Sequence, residues 1–418
     1  MRFFHSLPLL ALGIAASRTD EQTSLLPSVV GGRRNVSAAL FTELEEFSRI
    51  VDISYCVGVL TDGIGKPFQC LSRCAEFPNF ELVRVWNTGP LLSDSCGYVA
   101  LDHDKQRIIV AFRGTYSIAN TIVDLSTVPQ EYTPYPGSDG DDDKHSQPEA
   151  GSRGIVNGIA GHVRRYSMAE KNDPKCLNCT VHMGFHTSWL NTRKAILPDL
   201  EEAVRSNQGY SFHLVGHSLG GAVAALAGLD THARGWDPIV TTFGEPRVGN
   251  TGLVRYIDDR FDLSAEDNTK LKYRRVTHID DPVPLLPLSE WGYAMHAGEI
   301  YISKPSLSPD IANLQHCQGD NDPACIAQQD SSVPDERDLA TRIATPRVKR
   351  DLLASVKNEI YDVMREPWGI PSRYKLWQLL FAHRDYFWRL GLCVPGGDPM
   401  GGGGKYGQMA PVAEHEYL

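Results

Sequence analysis

The sequence predicts an α/β fold with a mostly parallel central sheet covered by helices. Two observations carry this. Apolar runs of strand length, Phe212–Val215, Ile239–Phe243 and Tyr273–Thr277, alternate with helical stretches such as Leu219–Leu229. Between the first run and its helix stands Gly216-His217-Ser218-Leu219-Gly220, a G-x-S-x-G turn with a strand running in and small helix formers running out.

Taken in order, the chain opens on Met1-Arg2-Phe3-Phe4 and an apolar run from Leu7 to Ala16. One positive charge, a short apolar core and small residues at Ala15, Ala16 and Ser17 predict a secretory signal over 1–17, cleaved after Ser17. Residues 18–40 show no periodicity and read as a loose leader. Strand-like runs follow at Leu82–Val85, Tyr98–Leu101 and Arg107–Phe112. The pattern fails between Pro129 and Asn172, where Asp139-Gly-Asp-Asp-Asp143 reads as a solvated loop in an insertion. After Val181 the α/β rhythm resumes. Arg347–Met364 reads as an amphipathic helix, and Gly401–Gly404 as part of a flexible tail over 395–418. No run is apolar and long enough to span a bilayer.

Composition narrows the class. The 418 residues include 41 Lys+Arg against 51 Asp+Glu, a formal charge of −10, with 42 % hydrophobic residues. That suffices for a packed core and excludes a disordered chain. An acidic balance disfavours a nucleic-acid partner, which requires a basic face. In a secreted chain the nine cysteines read as disulfides, and Cys70/Cys74, Cys176/Cys179 and Cys317/Cys325 stand close enough in sequence to pair. Nine is odd, so at least one thiol is left over. Asn35-Val-Ser37 and Asn178-Cys-Thr180 are N-glycosylation sequons.

The chemistry centres on Ser218. A turn this sharp needs neighbours without side chains two residues away, and Gly216 and Gly220 meet that need. It lifts the hydroxyl to a helix N-terminus and aims the Leu219 N–H at a developing oxyanion. A serine hydroxyl is a weak nucleophile until a base takes its proton. The base is a histidine oriented by a carboxylate, in chain order Ser, acid, His. Asp280 and Asp281 both follow a strand that ends near the turn. His278, His296, His316 and His383 are candidate bases, and the residues alone do not choose among them.

The motifs Val110-Ala-Phe-Arg-Gly-Thr115, Val181-His-Met-Gly-Phe185, Gly216–Gly220, Phe243–Asn250, Asp281-Pro-Val-Pro284 and His383-Arg-Asp-Tyr-Phe387 occur in one order. Through them the chain resembles the secreted class 3 lipases of filamentous fungi, from Phe41 to Cys393. The resemblance implies one α/β-hydrolase domain over 41–394, lengthened by insertions at about 126–175 and 326–374. It also implies Ser218 as nucleophile, Asp281 as acid, His383 as base, and Thr115 with Leu219 as oxyanion donors. It further implies the bridges Cys56–Cys393, Cys70–Cys74, Cys176–Cys179 and Cys317–Cys325, with Cys96 spare.

Lipases of this kind cover the site with a short helix. In 116–125 the residues Ile118, Ile122 and Leu125 form an apolar stripe suited to that lid. Many relatives carry a tryptophan there, where this chain has Thr121. The expected protein is a secreted, monomeric serine carboxylester hydrolase without metal or cofactor. Its expected action is triacylglycerol lipase activity at an oil–water interface. A feruloyl- or other soluble-ester esterase and a catalytically silent lipid-binding protein on the same fold are the alternatives.

Overall fold

A computed structural model describes residues 34–58, 63–89, 94–115, 129–136, 176–264, 271–330, 376–395 and 397. The signal segment, the Ile118/Ile122/Leu125 stripe, the helix read at Arg347–Met364, the glycine-rich tail and most of both insertions lie outside the described residues.

Eight strands form the main sheet, ordered β1 (Phe80–Asn87), β2 (Cys96–Asp102), β3 (Arg107–Phe112), β6 (Ser211–His217), β7 (Ile239–Phe243), β8 (Tyr273–His278), β9 (Glu299–Ile302) and β10 (Leu314–His316). Strands β3 through β9 of this series pair in parallel. The edge pairs β1–β2, β2–β3 and β9–β10 are antiparallel. The short β4 (Pro129–Glu131) and β5 (Thr180–His182) pair antiparallel outside this sheet. The first of them lies within the segment read as an insertion.

Period-two alternation decides which side chain meets which layer. On β2 and β3, Tyr98, Ala100, Ile109 and Ala111 pack on one face of the sheet with α1 (Ala38–Ile53). Val99, Leu101, Ile108, Val110 and Phe112 pack on the other with α2 (Met183–Ser206), α3 (Leu219–Ala233) and α4 (Thr251–Phe261). Buried on both faces, the central strands read as continuous apolar runs.

Helix α1 begins inside the segment read as leader. The Ser37 hydroxyl accepts the Leu40 N–H at 3.2 Å as N-cap, and Leu44, Phe47, Ile50 and Val51 then fall on one fully buried face. Each such burial contributes roughly 1.5–3 kcal/mol. Just ahead of it, Arg34 pairs with Asp322 at 2.6 Å, and its carbonyl accepts the His316 N–H at 2.8 Å. Residues 34–40 are therefore docked to the fold, through contacts with residues almost 300 positions away that a local reading cannot see.

Four disulfides join Cys56 to Cys393, Cys70 to Cys74, Cys176 to Cys179 and Cys317 to Cys325. Cys96 is a buried free thiol. The first bridge closes 337 residues and ties the end of α1 to the C-terminal segment 376–395.

Candidate active site

Ser218 sits between β6 and α3 with φ 58 and ψ −131, a left-handed backbone that a serine adopts only when its surroundings impose it. A Cβ on Gly216 would collide with the Gly220 carbonyl, so the turn closes only because that position is bare. The Ser218 N–H donates to the Phe243 carbonyl at 2.9 Å, anchoring the turn to β7. The side chain stands at the N-terminal end of α3 and is 2 % exposed. Leu219 contributes the helix's first amide.

Of the two candidate acids, the structure brings Asp281 to a histidine. His383 Nδ1 lies 3.0 Å from each Asp281 oxygen. The Tyr386 hydroxyl donates to Oδ2 at 2.5 Å, and the Val283 N–H donates to Oδ1 at 2.9 Å. Asp281 is fully buried. Burial pushes its pKa up, but the His383 charge and hydrogen bond, with the Tyr386 and Val283 donors, outweigh burial and hold it below the usual carboxylate range. Asp280 takes a left-handed turn at φ 66, and its N–H donates to Gln329 Oε1 at 3.2 Å.

Because Nδ1 faces a carboxylate, it carries the proton, and Nε2 of the neutral ring has the lone pair. Nε2 is buried and has no hydrogen-bond partner among the described residues. No hydrogen bond joins it to the Ser218 hydroxyl; catalytic contacts of this kind commonly tighten when substrate is held.

His217 binds the two halves together. Its Nε2 donates to the His383 carbonyl at 2.8 Å, so Nδ1 accepts from the Tyr55 hydroxyl at 2.5 Å. The His217 and His383 rings stack at 4.8 Å. Burial, then the neighbouring His383, push the His217 pKa down to about 3, so this ring stays neutral. Gly114 approaches so closely that a Cβ there would lie 2.8 Å from the Ser218 Cβ. Thr115 follows this contact in the chain. Thr115, His217 and His383 line one cavity with Tyr55, Leu379 and Leu390.

A buried hydroxyl, an imidazole with a free Nε2, a carboxylate behind it and two nearby backbone amides are the parts of an acyl-transfer site. A model of the family described as Lipase (class 3) matches residues 109–291. The chain is 51 % identical over 401 residues to the secreted mono- and diacylglycerol lipase 2 of Gibberella zeae, covering 91 % of this chain and 89 % of that one. The chain belongs to the class 3 lipase family. It is also 48 % identical over 398 residues to lipase A of Sodiomyces alcalophilus, covering 90 % and 87 %. The crystal structure of the Lip2 lipase from Yarrowia lipolytica superposes with a TM-score of 0.60 at 27 % identity, covering 86 % of this chain and 97 % of that one. The fold is that of the α/β-hydrolase lipases, and the protein is a carboxylic ester hydrolase.

The other candidate histidines of this lipase do not meet Asp281 as His383 does. His296 Nε2 meets Glu245 at 3.0 Å while Nδ1 donates to the Ala297 carbonyl at 2.7 Å. His278 is the last residue of β8, three residues before Asp281, and burial lowers its pKa. His316 is buried on the edge strand β10, and burial followed by the Arg274 charge lowers its pKa. The tightest group of metal-ligand types among the described residues is Glu299 with Cys317 and Cys325, and both sulfurs there are spent in a disulfide. Sequence reasoning missed Tyr55, His217 and Tyr386 as supports. Each stands beside a residue or inside a motif it did single out, but nothing local tells a supporting hydroxyl from a core aromatic.

Proposed function

We propose that this lipase is a secreted serine hydrolase in which Ser218 is the nucleophile, His383 the general base and Asp281 its orienting carboxylate. Leu219 and Thr115 supply the oxyanion donors. The observation that carries the assignment is His383 Nδ1 bonded to both oxygens of a buried Asp281 while Nε2 has no hydrogen-bond partner among the described residues. His383 takes the hydroxyl proton as Ser218 attacks the ester carbonyl, and Asp281 stabilises the imidazolium. The Leu219 and Thr115 amides receive the negative oxygen. His383 then protonates the departing alcohol, and water repeats the sequence on the acyl-enzyme.

The names of the relatives in Gibberella zeae and Penicillium cyclopium, both mono- and diacylglycerol lipases, favour partial glycerides over the triacylglycerol expected from sequence. Both names also carry the word secreted, in accord with the signal read at 1–17. Initial rates on emulsified monoolein, diolein, triolein and a dissolved short-chain ester test the substrate reading. Diolein and monoolein faster than triolein supports it, triolein faster overturns it, and no preference for emulsified over dissolved ester returns the soluble-ester esterase. Full activity in Ser218→Ala would overturn the mechanism.

A further inference from the structure

His278 is a buried imidazole that the reaction as proposed does not use. It ends β8 at 1 % exposure, and its carbonyl accepts the Asp281 N–H at 3.0 Å, so the two residues close one turn. Its ring meets the Tyr386 ring edge-on, with centroids 5.9 Å apart and planes at 61°. Tyr386 in turn donates its hydroxyl to Asp281 Oδ2 at 2.5 Å. The line of contact from His278 to the carboxylate therefore runs through one aromatic ring.

The His278 ring is itself held. It hydrogen-bonds to the main chain of Ile279 and Lys304, while Nδ1 is buried with no partner among the described residues. The charges that reach it are the Asp281 and Asp385 carboxylates, and Asp385 is engaged by Arg389 at 2.6 Å. Burial outweighs both carboxylates and lowers the pKa, so the ring is uncharged in the neutral range. A charged imidazole there would compete with His383 for the field of Asp281. An uncharged one leaves that field to His383 and offers Tyr386 a wall. Phe243 and His217 flank the Tyr386 ring at 5.7 and 6.0 Å between centroids, and His278 is the third ring around it. Edge-on contacts of this kind fix the plane of a buried ring.

We propose that His278 is a positioning residue: its imidazole wedges Tyr386 so that the hydroxyl stays on Asp281, and thereby sets how Asp281 holds the His383 imidazolium. This rests on Asp281 and His383 acting as proposed. Without the wedge the hydroxyl strays from Oδ2. The carboxylate then loses a donor that fixes its orientation, and it holds the imidazolium more tightly because less of its charge is shared.

The test compares His278→Gln, Tyr386→Phe and the double variant in the full chain, on a dissolved short-chain ester across pH. Each single change should lower kcat about tenfold with KM within about twofold, and move the acid limb of kcat/KM up by about half a pH unit. The double variant should match Tyr386→Phe within about twofold, because both changes break one link. His278→Phe restores a ring edge and should recover kcat to within about threefold of wild type. His316→Gln, the same change at a buried imidazole on β10, should stay within about twofold. Wild-type kcat in His278→Gln, an equal loss in His316→Gln, or losses that multiply in the double variant would overturn the proposal. So would a loss in His278→Phe as deep as in His278→Gln, since the nitrogens rather than the ring would then be at work. Tyr386→Phe keeps the packing and reads the link by itself if His278→Gln does not fold; an acid limb that stays in place there overturns the proposal. A wild-type rate in Asp281→Asn would instead sink the acid assignment, which the His278 variants leave standing.

Discussion

Replacing Asp281 by asparagine tests the site most sharply, because three donors converge on that carboxylate. Val283 N–H points at Oδ1 at 2.9 Å, Tyr386 O–H at Oδ2 at 2.5 Å, and His383 Nδ1 lies 3.0 Å from both. An asparagine offers one acceptor oxygen and one NH₂ group. The Val283 amide cannot rotate, so the oxygen must stay at the Oδ1 position. The NH₂ takes the Oδ2 position, where the Tyr386 hydroxyl can turn and accept. There it also faces His383 Nδ1 and repels a proton on it. The imidazole either keeps that proton against repulsion or moves it to Nε2, where it can no longer act as base. In both cases the imidazolium formed during acylation loses its counter-charge. The expected loss in kcat is about 10³–10⁴-fold, or roughly 4–5.5 kcal/mol of transition-state stabilisation. Initial rates on a dissolved short-chain ester measure it, with melting curves to establish folding. Asp280→Asn should stay within about threefold of wild type, since the carboxylate at His383 Nδ1 is that of Asp281. A folded Asp281→Asn enzyme within tenfold of wild type, or a worse loss in Asp280→Asn, would refute the reasoning.

Three further outcomes are expected. Gly244→Ala should lower kcat at least about 100-fold by misplacing the base, because Gly244 has φ +60 and a Cβ there would lie 2.7 Å from the Tyr386 hydroxyl and 2.9 Å from His383 Cε1; wild-type rates would count against this packing. The paired change Cys56→Ser with Cys393→Ser opens a 337-residue span and should cost about 6 kcal/mol in the chain-entropy model, read by denaturant unfolding; an unchanged midpoint would contradict it. Asp52 is fully buried, and burial, opposed by the Gly391 N–H and by Arg73, raises its pKa from 3.8 to about 6. A raised carboxyl pKa means the folded state holds a proton that the unfolded state has lost, so stability is full below about pH 4 and falls as pH rises through about 6. Relative to Asp52→Asn, wild type should therefore lose about 3 kcal/mol across that window, and parallel stability curves would refute it.

The parts of the fold legible in the sequence are those whose cause is local. Strand β7 occupies Ile239–Phe243 as read, and β3 occupies Arg107–Phe112, because a strand buried on both faces must be continuously apolar. The elbow was legible because its glycines are required by sterics within five residues. The choice between Asp280 and Asp281 was not. Both follow β8, and the left-handed residue between strand and turn decides which carboxylate points inward. The resemblance made that choice where the residues could not. Helix α1 was not read from the sequence at all, and its first residues fell in the segment read as leader, whose contacts come from the loop around Asp322.

The base depends on the part of the chain farthest from it in sequence. The His383 carbonyl is held by His217, which is held by Tyr55 at the end of α1. The segment after His383 is held by Asp52, Glu45 and Cys56, from α1 and the short turn that follows it. These ties fix main chain and ring plane, while Tyr386 and Val283 fix the carboxylate behind the ring. The elbow is built by β6 and α3 and anchored to β7, so weakening these ties acts first on the base. Displacement of about 1 Å in a reacting group can cost on the order of 10²-fold in rate. The strength of the α1 clamp therefore acts on catalysis directly.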